Sequence, residues 1–487
     1  MRASRRTLAS IARGCRGYER GLEQNWCGNV HFLSKESNIP ESVAEIRDIV
    51  ARAAAPVRVV GRGHSFSPIA ECSGGTLLSL SRLNNIIDFE APDPDRVGSI
   101  TIEGGTTYTE VARFLATGRR GALRNLPSCP QFTVAGAIAT ATHGSGIDLA
   151  NLAADVSMIE FVRADGELVR YDSEDETRDL LEGARVHLGC LGVVSRLRLD
   201  VVPFFDVDAR TYMDVPLENV LRSLPDLWQR CDSLSVWTAG FGRGPGAGSC
   251  WVTMRHFVPP GDRASPLEAS AEAALFGPRA SLIDGGSIMS RYCTDASDPL
   301  HTQSFKPTRV GPWYSHLCLT LDDEGDETPM GIVDLQAEFF VPLPHALPAL
   351  RAVWAAASEW TFSSPPMDAS SPAVKGLVDA MEFRQVKGDG AWLSPQPVDS
   401  LGIHVSFNGD PAVRSDVMAA LPVLERALEP FGARAHWGKL GARSVAPARL
   451  AELYGDKLGR FRSLCDQHDP TGKFRNTYVR RLLWGEA

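Results

Sequence analysis

Residues 125 to 146, N-L-P-S-C-P-Q-F-T-V-A-G-A-I-A-T-A-T-H-G-S-G, pack glycine, alanine, serine and threonine so densely that the backbone must approach another body closely. A helix in a core would carry bulkier residues, so the tract reads as a loop. Its Ser128, Thr140, Thr142 and Ser145 offer short hydroxyl hydrogen bonds. Upstream, V-R-V-V-G-R-G-H-S-F-S-P-I-A (57 to 70) runs a buried strand into Gly61, Arg62 and Gly63 and sets His64 and Ser65 at the tip. Paired glycines place successive backbone N–H groups in a concave nest that suits a pyrophosphate. The nicotinamide pattern G-x-G-x-x-G fails here, because Phe66 stands where the third glycine belongs and a helix precedes the strand. A third tract, R-V-H-L-G-C-L-G-V-V-S-R-L-R-L (185 to 199), sets glycines ahead of a strand, as backbone lying against a planar ring requires. Together such tracts suit an extended dinucleotide such as FAD.

The chain has 487 residues, too many for one core, so at least two domains are expected. With a formal charge of -9 and no Lys/Arg stripe, it does not read as a nucleic-acid binder. Its 10 cysteines are scattered singly with no C-x-x-C pair, the usage of a reducing compartment with free, packed thiols. No uncharged apolar run reaches the roughly 18 residues of a spanning helix, although peripheral membrane association stays open. Residues 1 to 18 carry five arginines and no acid. They read either as a mitochondrial transit peptide or as a basic tail on a cytoplasmic protein; an apolar region after the Arg5-Arg6 pair is missing, which ranks a twin-arginine signal low.

Helical spacing predicts a helix over 40–54, and β-branched runs predict strands at 76–80, 99–104 and 156–163, the last closed by the turn Ala164-Asp165-Gly166. Many short strands with one early helix indicate α+β architecture rather than a doubly wound sheet. From 206 the chain becomes loop-rich, with Pro259-Pro260, Gly285-Gly286 and an acidic run at 322–327 that reads as a solvated loop. Strands at 335–341, 381–386 and 403–407 alternate with helices at 345–358 and 412–429, a β-α-β-β-α-β order that fits a sheet with helices on one face. No internal repeat is visible. Glu382 and Arg384 share a strand face at i and i+2, and so do His404 and Ser406. From the residues alone, an E-x-R pair reads more readily as a solvated ion pair than as a site. His64 equally admits four roles: ligand, base, packing residue or attachment point. No cluster at metal spacing is read, and no metal is expected.

The three tracts, with H-W-G-K (436 to 439) and D-P-T-G-K-F-R-N (469 to 476), resemble the vanillyl-alcohol oxidase-type flavoproteins. Within these they are similar to the sugar-1,4-lactone and alditol oxidases. The resemblance implies a PCMH-type FAD-binding domain over 23–205 after a tail of 1–22. It further implies a substrate-binding cap over 206–440 with a sheet covered by helices, and a segment 441–487 that returns to the FAD domain. It implies FAD bonded covalently to His64, with Gly61, Arg62, Gly63, Ser65, Ser128, Gly136, Thr140, Thr142, His143, Gly144, Ser145, Gly189, Gly192 and Val193 about the cofactor. Glu382, Arg384, His404 and Lys439 carry over as catalytic residues, Ser128 and Ser406 as substrate contacts. The implied reaction is hydride transfer from a polyol or sugar lactone to flavin, with O2 as acceptor giving H2O2; Pro127, where some relatives carry alanine, is read as admitting O2. Two rivals stay open: a dehydrogenase serving cytochrome c or a quinone, and a binding protein without catalysis.

Overall fold

The computed structural model describes residues 22–53, 56–238, 248–262, 275–277, 280–284, 309–318, 334–358, 360, 376–441 and 446–486. The arginine-rich start, Gly285-Gly286 and the acidic run 322–327 lie outside the described residues.

Helix Val43–Arg52 forms where expected, capped by Ser42, whose side chain accepts from the Glu45 amide. It joins β1 (Glu36–Asn38) to β2 (Val57–Val60), and with β3 (Thr76–Ser79) these make a parallel sheet in the order β1-β3-β2. Ile46 and Val50 pack on Val57 and Leu78 in one apolar cluster. β4 (Ile86–Glu90), β5 (Gly98–Glu103), β6 (Val156–Val162), β7 (Leu168–Asp172) and β8 (Val193–Val201) form an antiparallel sheet in the order β4-β5-β8-β6-β7. Its core takes in helix Tyr108–Ala116, closed by a Thr107/Glu110 capping box, and the C-terminal helices Pro447–Tyr454 and Asp456–His468.

A nine-stranded sheet holds the rest. β9 (Asp206–Pro216), β10 (Ser233–Thr238), β11 (Ser249–Val258), β12 (Ser281–Asp284) and β13 (Val310–Pro312) precede β14 (Asp334–Pro342), β15 (Val378–Val386), β16 (Ser400–Asn408) and β17 (Arg434–Ala435). Leu335, Ala337, Phe339 and Val341 of β14 turn to a core shared with helices Ala346–Ala356 and Arg414–Leu428, as alternation requires. The intervening polar residues therefore turn the other way. The expected β-α-β-β-α-β order is observed from β14 to β17.

Contrary to the sequence reading, the sheet contains a repeat. β9, helix Leu217–Arg230, β10 and β11 have the same succession as β14, helix Ala346–Ala356, β15 and β16. Each half pairs its strands in the order first, third, second, and β10 meets β15 at the junction. The repeat is one of topology. Its plain trace in sequence is Val-Pro-Leu at 215–217 and again at 341–343, too short to stand out.

The D-P-T-G-K-F-R-N stretch is a clamp on the first sheet. Asp469 accepts from the Lys473 and Phe474 amides at 2.7 Å each, and the Lys473 carbonyl accepts from Val57 at 2.7 Å. Buried Arg58 then donates to the carbonyls of Phe474 (2.6 Å), Leu188 (2.8 Å), Ile69 (2.9 Å) and Gly189 (3.0 Å). One guanidinium thus fixes the strand that leads to His64, the third glycine tract and the C-terminal clamp.

Candidate active site

The three glycine tracts and the polar face of the nine-stranded sheet enclose a cavity of about 760 Å³, well within the range of small-molecule and cofactor sites. Gly61, Arg62, Gly63, His64, Ser65, Ser128, Gly136, Thr140, Thr142, His143, Gly189 and Gly192 line it from one side. Glu382, Arg384, His404, Ser406 and Lys439 line it from the other. Gly144, Ser145 and Val193 do not. A Cβ on Gly144 would stand 2.2 Å from Asn125 Oδ1, Ser145 Oγ donates to the Leu234 carbonyl at 2.5 Å, and Val193 is buried within β8. These three build the wall rather than face the space.

The tract around 134 is not all loop. Val134–Ala139 is a short helix whose N-cap, Thr133, accepts from the Gly136 amide at 3.3 Å. The close approach is as expected and the conformation is not: small residues let a capped helix, rather than a loop, press against the G-R-G turn. The contact is tight enough that a Cβ on Gly61 would fall 2.2 Å from Thr133 Oγ1. Gly63 has φ +68°, a left-handed conformation that glycine adopts without strain. His64 stacks on Trp26 (5.3 Å between ring centroids) and against Phe132 (4.7 Å), and its buried Nδ1 has no hydrogen-bond partner. Burial, aided by the charge of Arg62, pushes its pKa down to about 3, so the ring is neutral with a free lone pair.

Across the cavity, strand register assembles the opposing wall. Glu338 of β14 and Glu382 of β15 both stand opposite His404 of β16, and Gln336 stands opposite Ser406. Glu338 was absent from the expected site, and it is the hub. Its Oε1 lies 3.0 Å from Arg384 Nη2 and 3.1 Å from His143 Nε2, and its Oε2 lies 3.5 Å from His404 Nδ1. Burial alone would raise its pKa, but His143 and Arg384 outweigh burial and hold the carboxyl well below its usual value. The signal in sequence was the alternation of Asp334, Gln336 and Glu338 within a strand otherwise apolar, beside two strands already read as a site. Arg384 also reaches Ser128 Oγ at 3.3 Å and lies 3.2 Å from Glu382 Oε2, although its Nε–H is not aimed at that oxygen. The E-x-R pair is therefore buried and not solvated.

Burial raises the Glu382 pKa against the opposing pull of Arg384. It lowers that of Lys439, whose ammonium bonds Gln336 Oε1, and it pushes His404 down to about 4. His404 is thus an unprotonated ring at neutral pH, with Nε2 3.0 Å from Ser406 Oγ. Further residues unforeseen by the sequence reading line the cavity, among them Trp237, Asp334, Gln336, Asp379 and His436. His143, Glu338 and His436 have candidate metal-ligand atoms within 4.8 Å of one another, a cluster sequence spacing did not show. Arg384 already stands against the Glu338 oxygen that would face an ion, so we place no metal there.

His187, pushed down to about 3 by burial, and His404 are both neutral in the folded protein. Unfolding releases them to an ordinary value near 6.5, so between about pH 4 and 6.5 the unfolded chain binds more protons. Their contribution should be constant above pH 7 and stability should fall as pH drops through about 6.5. A thermal midpoint that holds level from pH 7 down to 5 would contradict this.

The FAD binding domain family matches residues 38–172 and the D-arabinono-1,4-lactone oxidase family matches residues 334–482. An alditol oxidase from a Streptomyces species is 33% identical over 474 residues, covering 95% of this chain and 99% of its own. Mouse L-gulonolactone oxidase is 34% identical over 490 residues, covering 96% and 99%. L-gulono-1,4-lactone dehydrogenase from Mycobacterium tuberculosis is 38% identical over 202 residues, covering 40% and 45%. With full-length relatives on both the alditol and the lactone side, the chain belongs to the FAD-dependent family of alditol and sugar-1,4-lactone oxidases.

Proposed function

We propose that this protein oxidises a secondary or primary alcohol of a polyol or sugar 1,4-lactone, with O2 as electron acceptor. The observation that carries the reading is a single cavity with glycine tracts and a neutral histidine whose Nδ1 lacks a hydrogen-bond partner on one wall, and a buried Arg/Lys/His/Glu constellation on the other. The residues present fit FAD: His64 Nδ1 is an orphaned polar atom, and Gly61, Gly63, Gly136, Gly189 and Gly192 line the cavity without side chains. When bound, FAD supplies a hydride acceptor for the substrate carbon and passes both electrons to O2, giving H2O2.

The chain's own residues do the rest. Gly61, Arg62, Gly63, Ser65, Gly136, Thr140, Thr142, His143, Gly189 and Gly192 hold the cofactor, and His64 offers its neutral nitrogen for a covalent tether. Gly144, Ser145 and Val193 support that wall from behind. Ser128 and Ser406 bond substrate hydroxyls. His404 takes the hydroxyl proton at Nε2, and Arg384 and Lys439 stabilise the developing alkoxide. Glu382 orients Arg384 and accepts from substrate hydroxyls. In this reading 23–205 is the FAD-binding domain and 206–440 the cap, while 441–487 returns to the first through the Asp469 clamp.

The test is anaerobic mixing with xylitol, sorbitol and L-gulono-1,4-lactone, followed by exposure to oxygen. Bleaching with at least one of them and stoichiometric peroxide is expected. Bleaching without peroxide, but with dye reduction, would favour a dehydrogenase like the mycobacterial relative. An unchanged spectrum across all of them would favour a binding protein. Acid-precipitated wild type should stay yellow and His64→Ala should release its flavin; a colourless wild-type pellet returns His64 to a packing role.

A further inference from the structure

We propose that Glu338 is the positioning residue of this site: its carboxylate holds Arg384 in place and fixes the ring protons of His143 and His404. The inference rests on the proposed function for its kinetic consequence, and on geometry alone for its proton assignment.

His143 makes the case for charge. Its Nδ1 lies 2.8 Å from the Gly144 carbonyl and its Nε2 lies 3.1 Å from Glu338 Oε1. A carbonyl cannot donate, and a carboxylate paired at 3.0 Å with the permanently charged Arg384 guanidinium accepts only, so both ring nitrogens must carry protons. His143 is therefore an imidazolium, and with Arg384 it places two positive charges against one carboxylate oxygen. The ring is 2% exposed, and Glu338 is the carboxylate it faces.

His404 makes the case for the tautomer. The same ionised carboxylate faces its Nδ1 at 3.5 Å, which puts the single ring proton on Nδ1. Nε2 is left as a lone pair that faces the cavity and Ser406 Oγ, whose one proton must then point to Nε2 and not to Asp334, the state a proton acceptor needs. When Nε2 takes a proton, the charge that forms on the ring stands beside Glu338. This is the relation of a buried acid to a catalytic histidine, built across neighbouring strands of one sheet. The other charged and titratable groups around Glu338 are Glu382, His436 and Lys439, and Ser406 is also within hydrogen-bond reach of buried Asp334.

Glu338→Gln makes the idea testable at the level of one atom. Arg384 and His143 sit on the Oε1 side, so the amide oxygen will take that side and the NH2 will face His404 Nδ1. Nδ1 must then accept, the ring proton moves to Nε2, and the lone pair is withdrawn from the cavity. In the holoenzyme, kcat should fall about 10³-fold at pH 7 with KM changed less than about fivefold, between the effects of losing a carboxylate behind a metal-bound histidine and one behind a catalytic histidine. Glu338→Asp, which keeps the charge, should recover at least tenfold of that loss. A Gln variant within about threefold of wild-type kcat, or an Asp variant no better than Gln, overturns the proposal.

Neutron diffraction from wild-type holoenzyme crystals at pH 7.5 supplies a readout independent of substrate and of any variant's folding. Deuterium on both nitrogens of His143 and on Nδ1 alone of His404 is expected. A bare His143 Nε2 or a deuterated His404 Nε2 refutes the assignment even if the oxidase reading stands. Failure of every polyol and lactone in the panel would refute that reading while leaving the proton map intact.

Discussion

Arg384→Ala should lower the rate of anaerobic flavin reduction about 10³-fold while the purified protein keeps its flavin. Arg384 is buried, yet it lies within 3.3 Å of Ser128 on the cofactor side and within 3.2 Å of both Glu338 and Glu382 on the sheet side. A donor held rigidly in a dry site stabilises a developing alkoxide far more than water can, and removing one such donor typically costs about 10²–10³ in rate. The upper end applies because alanine also leaves Glu338 and Glu382 without the guanidinium between them, so their repulsion raises the pKa of one and distorts the constellation. Arg384→Lys should not restore the rate: an ammonium cannot reach Ser128, Glu338 and Glu382 as a planar fork does. Stopped-flow bleaching of the Ala variant within tenfold of wild type would remove Arg384 from the chemistry.

The second large effect is on stability. Arg58→Met keeps roughly the volume of the side chain and deletes the donors that serve four buried carbonyls in three distant segments. Bonds from a charged donor contribute about 1.5–3 kcal/mol each and unpaired buried acceptors cost about 1–3, partly offset by no longer burying a cation; a net loss of about 4 kcal/mol follows. In a chain of this size the thermal midpoint should fall by roughly 4 °C, and flavin retention should weaken because β2 and the turn at His64 lose their anchor. Arg82→Met is the control, since its pair with Glu41 is exposed on both sides and should shift the midpoint by no more than about 1 °C. Equal midpoints for Arg58→Met and wild type would show that the clamp at Asp469 holds the strand unaided.

Local patterns were read well where one segment settles its own conformation. Helix Val43–Arg52 carries its cap and its apolar spacing within a dozen residues, and the strands bearing E-x-R and H-x-S alternate plainly. Helix Val134–Ala139 was missed because glycine and alanine have no stripe to show; its stability comes from Thr133 and from the turn it presses against. The placement of Gly144 and Ser145 in the wall was missed because their neighbours are not adjacent in sequence: Asn125 lies at the far end of the same tract and Leu234 in β10.

By itself the sequence determined that the glycine tracts would bring backbone close to a neighbouring body, that His64 would sit at a turn, and that Glu382 with Arg384 and His404 with Ser406 would each share a strand face. Those are consequences of backbone sterics and of the two-residue period of a strand, which act within a few residues. Only the tertiary structure decided that Glu338 would stand opposite His404, that His143 would cross from the cofactor wall to meet it, and that Arg58 would join three segments. Strand register and the burial of charge depend on which elements meet, and a carboxylate becomes a hub only when its partners arrive from distant parts of the chain in a space that water has left.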